Sequence, residues 1–391
     1  MIEALDRIFR TAFFRITASA LGFLTVVITS RYLGPEGRGV LALFMNTVIT
    51  IVAFSGSFQA SIVYFVGARG MDFRPILENL LAIAFATALL STGAALIFPA
   101  LIPHAAAIPL AVFFFSAVLY MEGMAYARDH LLRANLFKSL PSIISFLLIS
   151  TALILLNQRR AGVAIWMWTL GFPLTLLLMR AWIRPASKPD IAILKMLLSH
   201  GIFVALSTFM SRIFYRIDFF YLSRIMGDAT AGIYSVSMTV ADINFLIFNM
   251  ITTAFMGKMA GGESRKYVKY GLLYLLLMEI GYILFLLATG KTLIPLIFGE
   301  EFAQAFVPAL LLSIAIVFYT MGSLMAIYLN VRLGKTHIPF SIAIAGLLFK
   351  GAIAYPLVRN YGMAGGAISS LISYALTFLL FAHAYFRSSE N

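Results

Sequence analysis

Arg212 and Arg216 stand one helical turn apart in an otherwise apolar stretch, residues 201–222. Two guanidiniums at i, i+4 repel each other. If the stretch crosses a bilayer, each charge near its centre adds about 2.5–3.5 kcal/mol. An anion bridging the two offsets both costs, and arginine's planar fork suits diphosphate oxygens two at a time. The competing reading is salt bridging within the protein. Tyr215, Thr208, Phe219 and Ser223 fall on or beside the same face. Arg15 belongs to a second stripe, Thr11-Arg15-Ser19-Gly22, on one face of the first apolar run. It either joins an anion site or snorkels, since it lies about one turn inside that run.

Other charges also sit in apolar surroundings. Asp242 shares a polar stripe with Ser235, Thr239, Asn249 and Thr253. A carboxylate among hydroxyls and an amide can bind sodium, exchange a proton, pair with Arg212, or make a structural bond between helices; all four stay open. Glu279 has no polar companion in its own helix and reads as a carboxyl group held neutral by its surroundings. Glu122, near the inner end of its run, reads as interfacial. Lys350 is alone between Lys335 and Arg359. Asp218 is its candidate partner, because at about 100° per residue it points about 120° away from Arg212, toward the interior of its half. The alternative makes Lys350 a third phosphate ligand. An Asp218–Lys350 pair would neutralise both charges.

Several chemistries drop out. There is no cysteine, hence no disulfide, thiol catalysis or zinc–thiolate site. The five histidines are scattered without ligand spacing. Gly34-Pro35-Glu36-Gly37-Arg38-Gly39 has the wrong order for a dinucleotide loop and reads as a tight turn. No phosphate-loop lysine motif exists, so no catalytic residue, metal or cofactor is expected, and the driving force is sodium or proton.

The elements that must position these residues follow from composition. The 391 residues are 61% hydrophobic and 12% charged, against about 25% charged in ordinary globular domains. That leaves too little polar surface for a soluble enzyme, and abundant Phe, Tyr and Met exclude disorder. Runs of about 20 apolar residues recur near 11–30, 39–57, 76–99, 105–127, 138–156 and 161–183. A second set lies near 201–222, 229–257, 267–289, 304–329, 338–358 and 363–386. The first run is followed by Arg31-Tyr32-Leu33 rather than a small-residue cleavage site, so it reads as a mature span. With both termini inside, Lys and Arg favour the inner segments by roughly 18 to 7. The net charge of +13 therefore reflects membrane orientation and calls for no nucleic acid.

The halves repeat. Ser30-Arg31-Tyr32-Leu33-Gly34 and Gly39-Val40 recur as Ser223-Arg224-Ile225-Met226-Gly227 and Gly232-Ile233, at an offset of 193 throughout. Six spans per half make the repeats parallel. The expected fold is all-α: a polytopic membrane protein of twelve transmembrane helices in two parallel-repeat six-helix lobes, 1–185 and 186–391, with a central cleft.

The segment Arg31–Gly39 resembles the outer turn of bacterial polysaccharide flippases. So do Arg216-Ile217-Asp218, Gly232-Ile233-Tyr234-Ser235, Ile297-Phe298-Gly299-Glu300-Glu301-Phe302, Tyr328-Leu329-Asn330 with Gly334-Lys335-Thr336, and Tyr361-Gly362 with Ala364-Gly365-Gly366-Ala367-Ile368. Together they resemble the O-antigen and exopolysaccharide branch of the multidrug/oligosaccharidyl-lipid/polysaccharide (MOP) exporter superfamily. The resemblance implies alternating access and a polyprenyl-diphosphate-linked oligosaccharide as cargo, in a bacterial cytoplasmic membrane. Arg15, Arg212, Tyr215 and Arg216 are then the expected substrate ligands, and Asp242, Glu279, Asp218 and Lys350 the expected ion-coupling groups. Expected partners are membrane lipids and a polysaccharide polymerase or glycosyltransferases. Lipid II flippases usually carry two further spans. A drug/cation antiporter would want acidic walls rather than paired arginines. A polymerase would need a sizeable outer loop, and every outer loop here is short.

Overall fold

The computed structural model describes residues 2–97, 104–180, 189–259, 264–335 and 337–388. The expected boundary between halves, at residue 185, lies outside that set, as does Thr336. Among the described residues the backbone is helical almost throughout and contains no strand. Lipid demands this, because each N–H and C=O must find its partner within the protein. Ten stretches among these residues are long and apolar enough to cross a membrane. Large apolar side chains also lie exposed along them, including Phe85, Leu89 and Leu90, and Leu277, Leu284 and Phe285. Such surfaces need acyl chains as solvent. The chain is a multi-pass membrane protein.

The long helices are α1 (Ile2–Ser55), α2 (Phe73–Ile97), α3 (Ile108–Ala127), α4 (Leu131–Ser150), α5 (Ala161–Leu178) and α6 (Ile191–Met226). They continue as α7 (Asp228–Ala241), α8 (Ile243–Met259), α9 (Ser264–Phe298), α10 (Phe306–Val331) and α11 (His337–Arg387). The stretch expected as one span at 229–257 is interrupted at Asp242, between α7 and α8. Two helices are too long for one crossing. α1 has 54 residues and α11 has 51; at about 1.5 Å per residue each would run about 80 Å, against a hydrocarbon core of about 30 Å. Each is broken by one glycine of positive φ, Gly34 (φ 68) and Gly362 (φ 54). Only glycine takes that backbone without strain.

The chain packs as two compact units, Met1–Leu33 with Val40–Arg212, and Gly34–Gly39 with Ile213–Asn391. In the first, Leu41, Phe44, Val48 and Val52 of α1 bury against Ala111 and Val112 of α3 and Ile165, Trp168 and Phe172 of α5. A second cluster joins Phe58, Ile62, Ile76, Leu80, Tyr120 and Phe137 to Leu197 and Ala205 of α6. In the second unit α10 packs against α7, α9 and α11. The turn 34–39 lies on the start of α7. A Cβ on Gly39 would strike the Asp228 carbonyl, and one on Gly232 would strike the Pro35 carbonyl. At these two glycines the two stretches of backbone meet closely. Arg38, buried beside them, donates from Nε to Ser235 Oγ at 3.1 Å.

Candidate functional site

α6 supplies most of the site. In the second unit its Tyr215, Arg216 and Asp218 project toward α7, α10 and α11. Asp242 meets them because α7 ends one residue earlier. Its N–H donates to the Met238 carbonyl at 2.8 Å, and its own carbonyl accepts from the Phe245 N–H, three residues on, at 3.0 Å. That tightened turn aims the carboxylate at α6. Arg216 Nη2 donates to Asp242 Oδ2 and Tyr215 Oη to Asp242 Oδ1, each at 2.5 Å. The Arg216 guanidinium carbon lies 4.4 Å from the Tyr215 ring centre, and that ring stacks on Tyr374 with centres 6.0 Å apart.

A second ion pair lies beside the first. Lys350 Nζ of α11 is 3.0 Å from Asp218 Oδ1. The ammonium also donates to Tyr374 Oη at 3.3 Å and to the Tyr215 carbonyl at 3.5 Å. Asp218 Oδ2 accepts from Tyr234 Oη at 2.5 Å and from Ser370 Oγ at 3.1 Å. Two cations thus meet two carboxylates, and every carboxylate oxygen has a donor. The two pairs differ in access. Lys350 and Asp218 side chains are 0% and 2% exposed, while Arg216 and Asp242 are 8% and 32% exposed. A void about one water molecule in size lies between them, lined by Tyr215, Arg216, Asp218, Asp242 and Tyr374.

The expected residues therefore separate. Tyr215, Arg216, Asp242, Asp218 and Lys350 form one network. The partner of Asp242 is Arg216 rather than Arg212. Arg212 belongs to the first unit, where its Nη2 donates to Asn46 Oδ1 at 3.2 Å. Arg15 is exposed on α1. Glu279 is fully buried away from the network and does have a companion, on another helix: Thr320 Oγ1 lies 2.9 and 3.1 Å from its two oxygens. Glu122 has a partner. It is 4% exposed and lies 3.5 Å from Lys138 Nζ. The polar stripe of α7 is also divided, since Ser235 is engaged by Arg38 and Thr239 Oγ1 bonds the Ser235 carbonyl. The Thr253 side chain lies outside the described set.

Tyr234, Ser370 and Tyr374 were missed in the sequence. A signal existed: Ser369, Ser370, Ser373, Tyr374 and Thr377 form a hydroxyl-bearing face on α11, all buried. Hydroxyls on an apolar helix face a partner helix more often than lipid. Among the described residues no cluster of His, Asp or Glu could hold a metal ion.

The helical architecture has clear relatives. A lipid II flippase, MurJ, in an inward closed conformation superposes with a TM-score of 0.75 at 14% identity, covering 96% of this chain and 87% of that one. An inward-facing multidrug resistance MATE transporter of the MOP superfamily gives 0.71 at 15% identity, covering 95% and 96%. The fold is that of MOP-superfamily transporters. No family model matches the chain. Two curated sequences are similar over part of it. An uncharacterized membrane protein of Methanocaldococcus jannaschii is 24% identical over 197 residues, 50% of this chain and 47% of the relative. The capsular polysaccharide biosynthesis protein CapF of Staphylococcus aureus is 23% identical over 173 residues, 42% of this chain and 43% of the relative. The chain thus spans less than half the length of the curated relatives it matches.

Proposed function

We propose that the chain is a flippase of the polysaccharide-export type, moving a polyprenyl-diphosphate-linked oligosaccharide across a bacterial cytoplasmic membrane by alternating access. The observation that carries this reading is the arginine pair of α6. Arg212 and Arg216 are a turn apart in a membrane helix, and Arg216 Nε has no hydrogen-bond partner among the described residues. A guanidinium with donors to spare, inside an apolar body, suits a bidentate oxyanion. Tyr215 and Arg216 are the proposed diphosphate ligands, with Arg212 one turn earlier on the same helix. The likeness in fold to a lipid II flippase and the partial similarity to a capsular polysaccharide biosynthesis protein support a lipid-linked sugar as cargo.

The proposed topology has twelve crossings in two six-helix lobes with both termini cytoplasmic. The over-length of α1 and α11, each broken at a glycine, supports two crossings apiece, and the excess of inner Lys and Arg supports the orientation. Lys350, bonded on three sides, supplies its own cation to Asp218, so coupling is assigned to protons, or to an ion at Asp242 or Glu279.

The test is surface polysaccharide in cells that carry variants at the native locus. Arg212→Ala and Arg216→Ala are expected to abolish it at unchanged protein level. Lysine at either position is expected to restore only part, because it carries charge without the fork. Full export by the double alanine variant would reject the anion site.

A further inference from the structure

Asp242 holds the cation that the proposed cargo needs. Its two oxygens accept from Arg216 Nη2 and Tyr215 Oη, so in the structure one donor of the guanidinium is already taken by a carboxylate while Nε is left for an oxyanion. The neighbouring pair shows what a purely structural bridge looks like in this unit: Lys350 and Asp218 are sealed and held by four further bonds, to the Tyr374 hydroxyl, the Tyr215 carbonyl, Tyr234 and Ser370. Asp242 is built differently. A third of its side chain is open, it sits at the single turn residue that joins α7 to α8, and among the described residues its side-chain donors come from two adjacent residues of α6. Such a carboxylate can leave by a small side-chain movement, whereas Asp218 is fixed by residues of both α7 and α11.

We propose that Asp242 is the built-in counter-ion of the anion site: it holds Arg216 when no cargo is bound, yields it to the incoming diphosphate, and retakes it to expel the cargo. This rests on the flippase reading above and adds the element that makes release possible. A bare guanidinium in an apolar body would either be too costly to keep or bind a diphosphate too tightly to let go. An internal carboxylate of the same hydrogen-bonding shape removes both problems, since one oxyanion replaces another. Tyr215 is the positioning residue that orients the carboxylate toward Arg216.

The test uses the purified full-length protein, with inorganic diphosphate as the binding probe, and proteoliposomes with a polyprenyl diphosphate bearing a fluorescent sugar as the transport probe. Asp242→Asn keeps the shape and removes the competing charge. It is expected to bind diphosphate about tenfold tighter or more, with a lower half-saturating cargo concentration and a lower maximal rate. Damage to the fold does not tighten binding, so this split distinguishes a counter-ion from a structural role. Asp218→Asn, which breaks the sealed pair, is expected to give no tightening. Diphosphate binding by wild type that Asp242→Asn leaves unchanged or weakens would overturn the counter-ion role and leave the flippase reading standing. Equal tightening by Asp218→Asn would also overturn it, since the effect would then be one of net charge. No diphosphate binding by wild type or either variant would overturn both.

Discussion

Lys350 and Arg216 are both cations inside an apolar body, and their surroundings assign them different work. Lys350 is fully enclosed, and its ammonium is used by Asp218, Tyr374 and the Tyr215 carbonyl. It has no face left for a phosphate, so the alternative of a third phosphate ligand does not fit. Removing one partner of such a pair costs about 3–5 kcal/mol, because the other charge is left buried and unpaired, whereas removing both is often nearly neutral. Lys350→Met is therefore expected to lower the thermal unfolding midpoint strongly in detergent, and Lys350→Met with Asp218→Asn to recover most of the loss. A single variant as stable as wild type would show that the pair carries no such energy. Arg216, by contrast, shares a carboxylate that is one third open, and its variants are expected to lose transport before they lose stability.

Glycine decides where the elements turn and where they touch. Gly34 and Gly362 end straight helices that would otherwise outrun the bilayer. Gly39 and Gly232 allow two backbones to meet at a distance no Cβ permits. Gly232→Ala must push the Pro35 carbonyl away, and such backbone clashes cost about 1–3 kcal/mol. Gly281 has open space around its α-carbon and an ordinary backbone, so Gly281→Ala is expected to be neutral, or to stabilise by up to about 1 kcal/mol through helix propensity. Thermal unfolding of the two variants side by side checks the contrast; equal midpoints would mean the close approach is absent.

At the scale of the whole chain, the absence of cysteine makes topology directly testable. Single cysteines at 159 and 359 are expected to react with a membrane-impermeant maleimide on intact cells, and those at 69, 128 and 335 only after permeabilisation. Labelling of 335 and 359 from the same side would reject a crossing between them. Membrane residence and the helical character of the described residues were legible in the sequence, because they depend on a local quantity, the number of apolar residues in a row. The pairing of Lys350 with Asp218 was legible as well, since both lie in apolar runs and one rotation angle separates Asp218 from Arg212. The remainder depended on distance in space. That Asp242 meets Arg216 and Tyr215, that Glu279 finds Thr320, that Glu122 is buried against Lys138, and that Ser235 is taken by Arg38 all follow from how helices far apart in the chain rotate and tilt against one another. A helix pattern restricts which face a side chain occupies, but many partner helices satisfy it equally well. Only the packed core, where each charge must find an opposite charge or a hydroxyl, selects among them.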